Sequence, residues 1–285
     1  GGITVLATRV TLKEVTREGY TFGGWYRESA CTNKVGDAGE VQTISGSVTY
    51  YAKWTGNAYT IAYNLNGGTH GTNAPTSGTY GKDVQISNPT KKGYTFTGWS
   101  SGVAQGLQVG EAKTGTTANP STAWNGTATK NTYFKNLRSD VGTVTLVANW
   151  NINSYTVTYN YAENGGTSAT KTTQSVNYNS VIDLTPTATK SGYTFVGWNT
   201  NKDATTGLAS LKMGTSNVTL YAIYKKQITA TYHYYNNAST NETKTIYNKA
   251  TSATFTLPSI ANQTVNNIAY TKRGWSTNSG ASATV

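Results

Sequence analysis

GYTFTGWS, residues 93–100, decides how this chain is read. Tyr94 and Phe96 are two residues apart, as core-facing residues of a β-strand are, but Trp99 falls where a regular strand would turn it to the opposite face. Gly98 stands directly before it, and a glycine inside a strand pattern commonly marks a bulge. A one-residue bulge resets the phase and returns the indole to the side of Tyr94 and Phe96. The stretch therefore predicts a bulged β-strand carrying three aromatic side chains on one face.

The same stretch recurs. GYTFGGWY at 19–26 places Tyr20, Phe22 and Trp25, GYTFVGWN at 192–199 places Tyr193, Phe195 and Trp198, and AYTKRGWS at 269–276 is a decayed fourth copy with Trp275. Each tryptophan follows a glycine: Gly24, Gly98, Gly197 and Gly274. An indole kept in every copy reads as packing rather than as a ligand platform peculiar to one of them.

Two further elements recur around it. VTYYAKW at 48–54, VTLVANW at 144–150 and VTLYAIY at 218–224 have a period of two and mark a half-buried closing strand. YTIAYNLNGG at 59–68, YTVTYNYAENGG at 155–166 and ITATYHYYNN at 228–237 open the units as tyrosine-rich strands. In the first two, an Asn-Gly pair supplies the positive φ angles of a tight hairpin turn. The order opening strand, GYTFxGW, closing strand defines four modules: a partial one at 1–56 without an opening strand, complete ones at 57–152 and 153–226, and a partial one at 227–285 without a closing strand. The second carries an insertion at about 102–142, rich in Gly, Thr and Asn. Insertions of this kind map to surface loops. Linkers of three or four residues between modules predict a stacked, semi-rigid, elongated rod.

Composition agrees with ordered β-structure. The 285 residues include 21 Tyr and 30 Gly with only 12% charged side chains, and helical periodicity is weak throughout, so the class is mainly β, α+β at most. No apolar run approaches the roughly 18 residues of a spanning helix, so no membrane insertion is expected within this segment. The opening GGITVLATRV lacks a Met, a basic n-region and a signal core, so the chain reads as a piece of a longer protein whose other domains are its neighbours. Cys31, the single cysteine, excludes an internal disulfide.

The three motifs together resemble the Listeria-Bacteroides repeat, the B-repeat type of module in internalin B and related bacterial surface proteins. The fourth unit departs from the pattern, with Lys272 in place of Phe and Asn236-Asn237 in place of the Gly pair. The resemblance implies a small β-grasp-like module on a secreted, cell-surface or wall-attached bacterial protein, and for some members binding of host glycosaminoglycans.

Chemistry is sparse. His70 and His233 both read as solvent-facing, the 12 carboxylates are dispersed, and the glycine pairs sit at turns rather than at strand-to-helix junctions. No catalytic residue, metal or cofactor is expected. An isopeptide bond would need a buried Lys beside a buried carboxylate, and no pattern identifies such a trio. With 23 basic against 12 acidic residues the net charge is +11, which favours anionic partners. The bases are scattered singly, unlike those of nucleic-acid readers. What recurs is a basic residue before the central motif: Arg17, Lys91 with Lys92, and Lys190, joined by Lys225-Lys226 at a junction and by Lys272-Arg273 in the fourth copy. These form the expected line of contact for an anionic polysaccharide or cell-wall polymer. The bland reading is that they are solvated turn residues that discourage edge pairing. The expected role is a non-catalytic stalk. Two alternatives stand beside it: a carbohydrate-binding adhesin in which Trp124, Tyr133 and Phe134 of the insertion stack on sugar, and a filament subunit whose partial ends are completed by neighbouring chains.

Overall fold

The computed structural model describes residues 7–100, 111–114, 117–119, 132–235, 238–272 and 274–277. Two compact units divide the chain, Gly1–Asn153 and Ser154–Val285. Regular structure among the described residues is all strand, and no helix is long and apolar enough to cross a membrane.

In the first unit the complete module is built on a four-stranded mixed sheet in the order Ser77–Thr79, Ala58–Asn64, Thr143–Ile152, Tyr94–Ser100. The opening strand Ala58–Asn64 lies parallel to the closing strand, with Ile61 opposite Val144 and Tyr63 opposite Leu146. The central strand Tyr94–Ser100 runs antiparallel on the closing strand's other edge. The second unit repeats this order with Thr173–Asn177, Ser154–Asn160, Val218–Tyr235 and Thr194–Asn199, and again pairs Val157 with Val218 and Tyr159 with Leu220 in parallel. First and last sheet strands paired in parallel at the centre, with no helix on the crossover among the described residues, make a mainly-β, β-grasp-like module. The alternation in sequence explains the choice of face: Val144, Leu146 and Ala148 are fully buried with Tyr59 and Ile61 against Trp99.

The bulge forms as the glycine predicts. Phe96 lies opposite Trp150 and Trp99 opposite Ala148, so Thr97 is the extra residue and both rings fall on one face. Phe195 and Trp198 stand likewise opposite Tyr224 and Ala222. Gly98 and Gly197 take φ of 137° and 149°, a region that strains any other residue. Phe–Trp centroid separations of 5.5, 5.3 and 5.5 Å in the first three copies show one edge-to-face arrangement repeated. Trp99 and Trp198 are 1% exposed, whereas Trp25 and Trp275 are half-buried. Tyr20, Phe22, Tyr94, Phe96, Tyr193 and Phe195 are half-buried beside them.

Two sequence expectations are corrected. The Asn-Gly pairs turn the chain tightly, with the Gly68 amide on the Leu65 carbonyl at 2.9 Å, but they close no hairpin, because the antiparallel partner of the opening strand begins only at Ser77. Their asparagines act as hooks instead. Asn66 Nδ2 donates to the Ala148 carbonyl and Asn164 Nδ2 to the Ala222 carbonyl, both at 2.9 Å, tying each turn to the closing strand. The insertion is also more than a surface loop. Strand Thr132–Lys135 pairs with Glu111–Thr114 on one edge and with Asp83–Ile86 on the other, and it sends Phe134 into the module core at 1% exposure.

Candidate interaction surface

A clasp from the closing strand holds the turn of each complete module. In the first unit, Trp150 of the closing strand donates its indole N–H to the Leu65 carbonyl at 3.0 Å. In the second, Tyr224 reaches the equivalent Tyr161 carbonyl with its hydroxyl at 3.2 Å. Trp and Tyr interchange at this position because both carry a donor at the tip of a flat ring. The ring lies on the second glycine of the turn: a Cβ at Gly68 would meet Trp150 at 2.5 Å, and one at Gly166 would meet the Tyr224 hydroxyl at 2.0 Å.

In the first unit the recurring base before the central motif also bonds the turn, whereas in the second it bonds elsewhere in its unit. Lys91 Nζ donates to the Asn66 carbonyl at 2.9 Å and lies 4.2 Å from the Tyr94 ring centroid. Lys190 Nζ lies 3.9 Å from the Tyr193 centroid and donates to the Asn248 carbonyl; burial lowers its pKa below the usual lysine value. Both are half-buried, with cation–π contacts to module aromatics. Arg17 is exposed, its guanidinium 4.1 Å over Tyr20.

The remaining described bases, Lys92, Lys225, Lys226 and Lys272, are exposed, and none of them is in an ion pair among the described residues. Lys225 and Lys226 are consecutive in strand Val218–Tyr235 and so project to opposite faces. Lys226 shares the Tyr193 ring with Lys190, at 5.7 Å. The structure therefore divides the predicted basic set into two built into modules, Lys91 and Lys190, and a solvated group that includes Lys92 on a turn and Lys225 and Lys226 within strand Val218–Tyr235. Arg273 and Trp124 lie outside the described residues, and Tyr133 is described only through its backbone strand. Phe134 is withdrawn from the sugar-stacking set, since a ring packed inside the core offers no face to a ligand.

Asparagines at the junctions carry functions that the motif search passed over. In the first unit, Asn57 stands between strands Tyr51–Gly56 and Ala58–Asn64. Its N–H donates to the Gly19 carbonyl at 2.9 Å and its Oδ1 accepts from the Thr21 hydroxyl at 2.6 Å. Its Nδ2 donates to the Ser139 carbonyl at 2.8 Å, and its carbonyl accepts from the Tyr80 amide at 2.9 Å. The Tyr20 and Tyr80 rings meet edge to face at 5.3 Å. Asn153 repeats the first two bonds, to the Gly93 carbonyl at 2.9 Å and from the Thr95 hydroxyl at 2.6 Å. The available signal was an Asn two residues before each opening tyrosine, Tyr59 and Tyr155. No Asn stands there at the next junction, where one strand, Val218–Tyr235, runs through. Asn248, at φ 54°, accepts there from the Tyr224 amide at 3.1 Å and donates to the Ala204 carbonyl at 2.8 Å.

The carboxylates whose pKa values fall furthest are acceptors of local hydrogen bonds. Glu28 is held at about 2 by the Thr32 hydroxyl and nearby amides, and Asp183 at about 2 by the Thr185 hydroxyl and amide and by Lys171. His70 and His233 are exposed, and no group of three or more metal-ligating side chains occurs among the described residues.

Repeated mixed-sheet modules define a tandem-repeat protein. The profile of the Listeria-Bacteroides repeat domain matches residues 4–53, 59–148 and 155–223, and the chain belongs to that family. Similar proteins include a putative membrane protein of Evansella cellulosilytica, 31% identical over 215 residues covering 72% of this chain and 28% of the relative. Internalin H of Listeria monocytogenes is 35% identical over 177 residues, covering 59% of this chain and 25% of internalin H. A putative Gly-rich membrane protein of Evansella cellulosilytica is 28% identical over 183 residues, 64% of this chain and 18% of that protein. The chain thus spans between 18% and 28% of these relatives' lengths. No solved structure matches.

Proposed function

We propose that this chain is a non-catalytic spacer segment of a bacterial cell-surface protein. The observation that carries the reading is the junction at Asn57, where backbone and side-chain groups of a single residue are all hydrogen-bonded and two tyrosine rings pack across it. A linker meant to flex leaves such groups to water. Membership in a repeat family with surface and membrane-protein relatives supports the location. Spin labels at exposed Ala38 and Thr69, on either side of this junction and with Cys31 replaced by Ser, test the idea through their distance distribution. A narrow distribution that broadens in Asn57→Gly is expected, and a broad one in the parent protein would overturn the spacer reading.

Contact with anionic polysaccharide belongs to the same reading as a weak accessory activity. Its support is the exposed, unpaired set Lys92, Lys225 and Lys226 on a chain of net charge +11. Several weak contacts carried on one chain add through avidity rather than through any single strong site.

A further inference from the structure

Each complete module sets the strand by which the chain enters it beside the strand by which the chain leaves. Ala58–Asn64 and Thr143–Ile152 are the inner two strands of their sheet, as are Ser154–Asn160 and Val218–Tyr235 in the second unit. Both pairs are parallel, from Thr60 opposite Thr143 to Asn64 opposite Val147, and from Val157 opposite Val218 to Asn160 opposite Tyr221. In a parallel pair the start of one strand and the end of the other lie at opposite ends, so tension along the chain slides the two past each other. All the bonds between them are then loaded together. Each loaded strand is also held on its other edge, by Thr173–Asn177 and by Thr194–Asn199 in the second unit, so drawing either one out breaks two ladders. The clasp joins the same two segments at the far end of the pair, through Asn164 to the Ala222 carbonyl and Tyr224 to the Tyr161 carbonyl.

We propose that each complete module is a load-bearing clamp, which resists tension along the chain through shear of its parallel strand pair and through the clasp that staples the end of that pair. Only the source of the load, a pull on a surface protein, rests on the spacer reading. Resistance to force is a matter of unfolding rate rather than of equilibrium stability, and that rate depends on the direction in which the bonds are loaded. Peeling the same two strands apart from one end would break their bonds one after another. The arrangement recurs in both complete modules, although the second module of the chain carries the insertion and the third does not. The staple also survives the exchange of Trp150 for Tyr224, each donating to the carbonyl of the turn. At the following junction the load passes without a break, since the single strand Val218–Tyr235 runs from the parallel pair into the pairing with Ala238–Tyr247.

Optical tweezers on the whole chain, with Cys31→Ser and DNA handles on introduced cysteine pairs, test this in the second unit. Handles at the exposed positions 154 and 225, through Ser154→Cys and Lys225→Cys, shear the strand pair. Handles at the exposed positions 156 and 216, through Thr156→Cys and Ser216→Cys, peel it from the end where Val157 meets Val218. At one loading rate the sheared module should hold to a force roughly threefold higher than the peeled one. Tyr224→Phe removes the clasp hydroxyl and should speed unfolding roughly fivefold at a fixed shearing force, the effect of one lost hydrogen bond. It should leave the peeling force unchanged, because peeling starts at the opposite end of the pair. Equal forces in the two geometries would overturn the proposal, and so would a Tyr224→Phe chain weakened in both directions alike or in neither. Both measurements lie inside one module, so their failure would leave the spin-label test of the junction, and the spacer reading, standing.

Discussion

Gly197→Ala is the sharpest test of the bulge. Gly197 holds φ at 149°, where an alanine costs about 1–3 kcal/mol in backbone strain. The new Cβ would stand 3.0 Å from the Cα of Gly207, a backbone atom that cannot swing aside, which adds about 1 kcal/mol. The chain could escape both by straightening the strand, but that would turn Trp198 to the outer face. Exposing an indole now 1% exposed forfeits roughly 5 kcal/mol at about 25 cal/mol per Å² over about 200 Å². It would also break the 2.6 Å bond from the indole to the Pro186 carbonyl. Strain is the cheaper course. The bulge should therefore persist in a module destabilised by about 3 kcal/mol, with a melting temperature lower by roughly 10–20 °C. Amide exchange at Leu220 and Ala222 isolates this module from the others, and should accelerate roughly a hundredfold. Gly207→Ala shares the close contact without the positive φ and should cost about 1 kcal/mol. Gly214→Ala, with nothing within 4 Å, should change stability by less than about 0.5 kcal/mol. A Gly197→Ala protein as stable as the Gly214→Ala control would refute the reasoning.

Trp198→Phe should cost about 1 kcal/mol more than Trp99→Phe in denaturant titrations, because it orphans the Pro186 carbonyl, whereas the Trp99 indole N–H has no partner to lose among the described residues. Replacing Lys225 and Lys226 together with Gln should lower the salt concentration at which the chain leaves immobilised heparin, and Lys91→Met should change it much less, since Lys91 is bonded within its module. Should the two variants elute alike, the solvated group is not the contact. Asp183, held at about 2 against an ordinary 3.8, is depressed in the folded state, so it contributes stability above its unfolded value that is lost as pH falls through about 2. Asp183→Asn should flatten the acid dependence of this module between about pH 4 and 2, read by circular dichroism, and an unchanged slope there would exclude the Thr185 and Lys171 contacts as its source.

Local signals were enough for the strands and the bulge, because alternation and a glycine before a tryptophan act over a few residues. The roles of the bases were not legible. Lys91 and Lys92 are neighbours in TKKGY, yet one is clasped between a turn and a tyrosine and the other faces solvent. Phe134 was equally opaque: in a stretch rich in Gly, Thr and Asn it looked like an exposed ring, but pairing with Asp83–Ile86 carries it into the core.

The sequence by itself determined that this is a mainly-β tandem-repeat chain of the Listeria-Bacteroides type, with its indoles returned to one face by glycine. Tertiary structure alone decided that the first and last strands of a module lie side by side in parallel, since Ile61 and Val144 meet across more than 80 residues with no local pattern to announce it. It alone placed Lys91 and Lys190 within modules and their neighbours in solvent, and assigned the asparagines to turns and junctions. The reason is range. Side-chain period and backbone strain are written into neighbouring residues, while partners for a buried donor or an open edge are found only once distant segments have come together.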